Sequence, residues 1–123
     1  MAREIIGEVG GRPYSPGTRV GNTIFVSGQL GLDASDKIVP GGIGPETRQC
    51  LENMKAVLAK AGATLDDVTM VNVYMKDLDQ DYTEMNQVYL EFFGDTPPAR
   101  ATVEVSRLAF NVPIEISCIA VVS

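Results

Sequence analysis

Apolar positions recur along this chain in two rhythms, every second residue and every third or fourth, and the switches between them predict the order β-β-β-α-β-α-β-β. From Ile5 to Gly31, the β-rich runs REIIGE, TRV and TIFVSGQL are separated by turn residues. Gly21-Asn22 between the last two is a hairpin signal, because both residues tolerate the positive φ that a two-residue turn requires. Asp33 to Gly44, rich in glycine and poor in apolar residues, reads as a mobile surface loop. Pro45 suits the first turn of a helix, where its missing N–H costs nothing.

Leu51, Met54, Leu58 and Ala61 then form a helical stripe, which predicts a helix from Glu46 to Ala61 with Gly62 as its C-terminal cap. Thr64 and Asp67 have capping-box spacing over one short turn, and Thr69 to Met75 is a β-prone run. A second helix carries Tyr82, Met85, Tyr89, Phe92 and Phe93 on one face and stops at Gly94, ahead of Pro97 and Pro98. Strands over Ala99 to Val105 and Ile114 to Val122 close the chain.

Each helix links two strands that can lie parallel through a right-handed crossover, which puts both helices on one face of a mixed sheet. The fold class is therefore an α+β sandwich in a single domain, residues 1–123, with no internal repeat or linker. The last strand has apolar residues on both faces, so the face without helices needs a cover. The chain holds no segment to supply one, and the expectation is an obligate oligomer packed sheet to sheet.

Composition narrows the chemistry. A formal charge of −6 and ten scattered basic residues argue against a nucleic-acid partner, since that affinity rests on clustered cations. There is no apolar run of membrane-spanning length and no basic start followed by a long apolar core, so a soluble, unexported, cytoplasmic protein with no membrane partner is expected. Cys50 and Cys118 are isolated and read as reduced and structural. With no histidine, a Ser-His-Asp or Cys-His nucleophile is excluded and a deaminase-type zinc site lacks its ligands, so no metal and no cofactor are expected.

Two charges stand out in the closing strands. Alternation sends Arg100, Thr102 and Glu104 to one face of RATVEV, and sets Glu115 beside Ser117, Ile119 and Val121, opposite Ile114, Ile116, Cys118 and Ala120. A guanidinium on a rigid strand matches the two oxygens of a carboxylate, and a nearby glutamate can manage a proton or a water. If the two strands form a hairpin, one register sets Arg100 directly across from Glu115. The plainer reading is then a cross-strand ion pair at a subunit interface, worth about 0.2 to 1 kcal/mol if exposed.

Ser27 and Gly28 end an apolar run, where a hydroxyl and a backbone N–H can orient a ligand, although glycine also simply ends strands there. Tyr14, between Pro13 and Pro16, can wall a pocket or merely pack its ring. Asn86 lies beside the aromatic stripe, either as a buried amide in need of partners or as a solvated helix edge.

Taken together, PYSP, VSGQLGLD, ETRQCLENMKAVL, PPARATVEV and PIEISCIAV resemble the reactive-intermediate deaminase family, RidA/YjgF, over nearly the whole chain. The resemblance implies a homotrimer of chorismate-mutase-like α+β subunits, with clefts between them, that hydrolyses 2-imino and enamine acids to 2-keto acids and ammonia. By motif, it implies that Arg100 clamps the substrate carboxylate, Glu115 positions the attacking water, and Ser27 assists catalysis. Tyr14, Gly28, Asn86 and Thr102 would line the substrate site. Thr102 stands where many members have cysteine, so thiol reactivity at that position should be absent, and the GDTPP turn is short. Two rival functions remain: a non-catalytic module binding small carboxylates, and a ribonuclease or translation inhibitor, an annotation the family has also carried. Acidic charge and the absence of histidine weigh against the second rival.

Overall fold

A computed structural model describes residues 2–123 as one six-stranded sheet with two helices on one face. The strands are β1 (Glu4–Ile6), β2 (Gly17–Val20), β3 (Thr23–Gln29), β4 (Val68–Met75), β5 (Ala99–Glu104) and β6 (Ile114–Val121). Helix α1 (Ile43–Lys60) joins β3 to β4, and α2 (Leu78–Phe93) joins β4 to β5. The sheet order is β1-β2-β3-β6-β4-β5, with β4 and β5 parallel and every other neighbouring pair antiparallel.

Local chemistry accounts for the element ends. Gly21 takes positive φ in the turn between β2 and β3, as the hairpin requires. Helix α1 starts at Ile43, so Pro45 falls in its first turn. At its other end, Gly62 is left-handed, and the Gly62 and Ala63 N–H groups donate to Ala59 and Leu58, a Schellman closure. The Thr64–Asp67 capping box forms over a single 3-10 turn. Asp77 caps α2 by accepting from the Gln80 N–H at 3.0 Å.

The segment from Asp33 to Gly42 is the surface loop expected, but the helix begins at Ile43 and the loop is internally bonded. Asp33 Oδ1 accepts from the Ser35 and Lys37 N–H groups, the Val39 N–H donates to Gly31, and Leu32 bridges Ile38. An aspartate that satisfies its own turn supplies order that a count of glycines does not reveal. The side-chain amide of Asn53 on α1 donates to Leu30 and Leu32, which ties this turn, and the end of β3, to the helix layer.

The core lies between helices and sheet: Leu51, Met54 and Leu58 of α1 and Met85 of α2 are fully buried with Val71, Val73, Ile114 and Ile116. The opposite sheet face is bare. Phe25, Val103 and Val121 on that face are each more than two-fifths exposed, in agreement with the expectation of an uncovered apolar surface.

Candidate functional site

The hairpin register that sets Arg100 opposite Glu115 is wrong, because β4 lies between their strands. Arg100 pairs with Val71 and Glu115 with Tyr74. Side chains paired across a sheet share a face, and positions 71 and 74 of β4 have opposite facing. Arg100 therefore points to the helix side at the sheet edge, and Glu115 to the bare side. No salt bridge among the described residues involves either one, so they form no ion pair within a chain.

The Glu115 station is built around a bulge. Val26 pairs with Cys118 and Gln29 with Ile116, so β3 carries one extra residue there, at Ser27-Gly28. A Cβ on Gly28 would collide with the Glu115 carboxylate, so glycine is what lets that carboxylate lie against the β3 backbone. Burial raises the pKa of half-buried Glu115 above the ordinary carboxylate value. Ser27 is committed locally: its hydroxyl donates to the Ser15 carbonyl at 2.6 Å, and its N–H donates to Pro16 at 3.0 Å. These bonds hold the Tyr14 loop against β3. Tyr14, more than half exposed, lines a shallow recess of about 360 Å³ with Ser15, Thr18, Phe25 and Ser27.

The Arg100 station lies two strands away, where edge strand β5 passes under α2. The guanidinium carbon is 4.6 Å from the Tyr89 ring centroid and 5.9 Å from that of Tyr82. One nitrogen is 3.4 Å from the Tyr82 hydroxyl and the other 4.0 Å from Met85 Sδ. Thr102, half-buried, points the same way as Arg100 along β5. Half-buried Asn86 lies one helical turn beyond Tyr82, on the flank of α2. Arg100, Thr102, Tyr82 and Tyr89 thus belong to one region, and Tyr14, Ser27, Gly28 and Glu115 to another.

The sequence pattern marked Tyr82 and Tyr89 only as core. Phenols rather than phenylalanines in that stripe were the available signal, since a ring with a polar tip suits the margin of a core. Glu46 was also missed. It is 6% exposed, its Oε1 has no hydrogen-bond partner, and burial, reinforced by Asp81, raises its pKa. Cys50 and Cys118 are buried, unbridged thiols, and burial pushes Cys118 up to about 12. Among the described residues no group of three or more acidic or thiol side chains is arranged to hold a metal ion, and no helix is long and apolar enough to cross a membrane.

The fold and its stations define a two-layer α+β domain with the candidate side chains on the bare face and far edge of one sheet. The family model described as Endoribonuclease L-PSP matches residues 9–122. A RutC family protein of Pyrococcus abyssi is 51% identical over 109 residues, 88% of this chain and 85% of the relative. A protein of Dermatophagoides farinae named 2-iminobutanoate/2-iminopropanoate deaminase is 40% identical over 111 residues, 89% of this chain and 86% of the relative. The crystal structure of Escherichia coli TdcF with bound serine superposes with a TM-score of 0.90 at 34% identity, covering 98% of this chain and 99% of that one. The chain belongs to the RidA/YjgF family, the family of the Endoribonuclease L-PSP model.

Proposed function

We propose that this protein hydrolyses 2-imino acids to 2-keto acids and ammonia, with Arg100 binding the substrate carboxylate and Glu115 managing the water and its proton. The observation that carries this reading is the pair of charged groups without ion partners among the described residues, one on the helix side of the sheet edge and one on the bare face. Relatives at about 40% identity that are named as deaminases of this kind support it.

The chemistry follows from the groups. A protonated imine is already electrophilic at carbon, so the protein has to hold the substrate and supply a base. Arg100 offers two parallel N–H donors to the carboxylate and fixes the plane of the adjoining C=N bond. Glu115, ionised, takes a proton from water as its oxygen bonds to the imine carbon, giving a tetrahedral carbinolamine. The same carboxyl returns that proton to nitrogen. The C–N bond then breaks, the hydroxyl proton leaves with ammonia as ammonium, and the C=O bond of the keto acid forms. Tyr14, Gly28, Asn86 and Thr102 shape the cleft, and the Ser27 hydroxyl oxygen, whose proton is engaged with Ser15, remains free to accept.

Within one chain Arg100 and Glu115 have opposite sheet facings, so a site that uses both takes them from different copies. The homotrimer expected from the family resemblance is such an arrangement, with the bare face of one subunit meeting the edge of the next. Co-expression of Arg100→Ala with Glu115→Gln tests this directly. Mixed oligomers should regain roughly a quarter of the wild-type ammonia release, because random assembly pairs an intact Arg100 with an intact Glu115 at about one interface in four. No recovery in a mixture shown to contain heterotrimers would place both groups in one subunit's site and overturn this arrangement.

A further inference from the structure

We infer that Tyr89 is a positioning residue for Arg100, its ring serving as a neutral platform that holds the guanidinium without occupying the donors a carboxylate needs. This rests on the reading of Arg100 as the carboxylate clamp and adds to it the part of the fold that aims the clamp.

Among the described residues, the groups set against the Arg100 guanidinium are uncharged: the Tyr89 ring at 4.6 Å, the Tyr82 ring at 5.9 Å with its hydroxyl at 3.4 Å, and Met85 Sδ at 4.0 Å. A carboxylate in this place would hold the arginine more tightly, but it would neutralise the charge and claim the in-plane N–H donors. An aromatic face attracts the cation through its quadrupole and leaves the edge of the fork open. An arginine side chain free in solvent would have to lose its rotamer freedom when substrate binds. Fixing it beforehand removes much of that cost.

Tyr89 is the firmest part of this cradle. It is 4% exposed, and its ring lies 4.6 Å from the Phe93 ring at an interplanar angle of 36°. Tyr82, by contrast, is 42% exposed. Burial pushes the Tyr89 phenol up to about 12, against the opposing effect of Arg100, so the ring stays neutral at any working pH and is no phenolate counter-ion. Its hydroxyl has no hydrogen-bond partner among the described residues. The hydroxyl lies near enough to Arg100 for the guanidinium to oppose that rise, but without hydrogen-bond geometry, so the defined contact is the ring face at 4.6 Å.

The test uses the full-length protein with 2-iminobutanoate generated in situ by an amino-acid oxidase, and 2-oxobutanoate as a competing carboxylate. Tyr89→Phe keeps the ring and should hold KM and the 2-oxobutanoate Ki within about two-fold of wild type. Tyr89→Leu removes the ring and should raise both roughly ten-fold, with a smaller change in kcat, as expected for loss of a desolvated cation–π contact. Damage to packing alone would lower the active fraction, and so kcat, and leave KM and Ki in place. Wild-type KM and Ki in folded Tyr89→Leu would overturn the inference, as would equal losses in Tyr89→Phe and Tyr89→Leu, which would assign the role to the hydroxyl. If Tyr89→Leu does not fold, Tyr89→Met takes its place with the same outcomes. Arg100→Ala separates the two levels: full activity there removes the clamp itself, and a dead Arg100→Ala beside an unaffected Tyr89→Leu removes only the platform.

Discussion

Strands β5 and β6 each carry one charged candidate residue, and they house it in opposite ways. On β5, at the sheet edge, the polar side turns toward the helices, while Ala101 and Val103 on its other side are exposed. On β6, held between β3 and β4, the apolar side turns inward, and Glu115 stands on the bare face. An edge strand has one open flank, so Arg100 can lie over aromatic rings and still reach outward. A central strand has no such flank, and Glu115 gains its space from the extra residue and missing side chain at Gly28 on the neighbouring strand. The cation is thus held by soft contacts, and the carboxylate by a gap in the ladder.

If that difference is functional, substitutions at the two stations should fail differently. Arg100→Ala should have the largest effect. Loss of a charge-assisted bidentate contact commonly costs about 2 to 5 kcal/mol, so kcat/KM for 2-iminobutanoate should fall by roughly 30- to 5,000-fold in an ammonia-release assay. Arg100→Lys should recover little, because a point charge reproduces neither the planar fork nor the stacking on Tyr89.

Glu115→Gln should come next, lowering kcat by on the order of 10²-fold with KM nearly kept, the split expected of a general base that does not bind the carboxylate. Its pH profile sharpens the contrast. The base must be ionised, and burial raises its pKa, so wild-type kcat should climb with pH through an inflection above the ordinary carboxylate range. An inflection that persists in Glu115→Gln would assign the proton work to another group.

The smallest effect concerns a carboxylate that the reaction does not use. Glu46 is sealed in the helix layer near Asp81, and burial raises its pKa in the folded state. The fold then binds that proton more tightly than the unfolded chain does. Its stabilising contribution is full below the ordinary carboxylate pKa and declines as pH rises through the raised one. Glu46→Gln should flatten this decline and add about 1 kcal/mol near neutral pH, the scale of no longer ionising a desolvated carboxyl beside Asp81, with activity kept. Denaturant melts of both proteins from pH 4 to pH 8 would show it, and parallel curves at every pH would rule it out.

The order of elements was legible in the sequence because its signals are local. The Leu51-Met54-Leu58 stripe, the Gly62 cap, the Thr64–Asp67 box and the Gly21-Asn22 turn each act within a few residues, and each stands where it was read. Facing was legible too, since alternation along β5 and β6 correctly groups Arg100 with Thr102, and Glu115 with Ser117. The Asp33 turn was not, because one side chain satisfying two N–H groups leaves no trace in apolar periodicity.

What the sequence by itself determined, then, is which residues are charged, which side of its own strand each one takes, and which family of sheets the chain builds. Tertiary structure decided which strands became neighbours. The crossover through α2 lays β5 parallel beside β4 on the outer edge, while β6 enters antiparallel on β4's other side, and that choice is made by hydrogen-bonding edges distant in sequence. It turns a supposed cross-strand pair into two stations on opposite faces, and it brings Tyr89, which no spacing rule connects with Arg100, beneath the guanidinium.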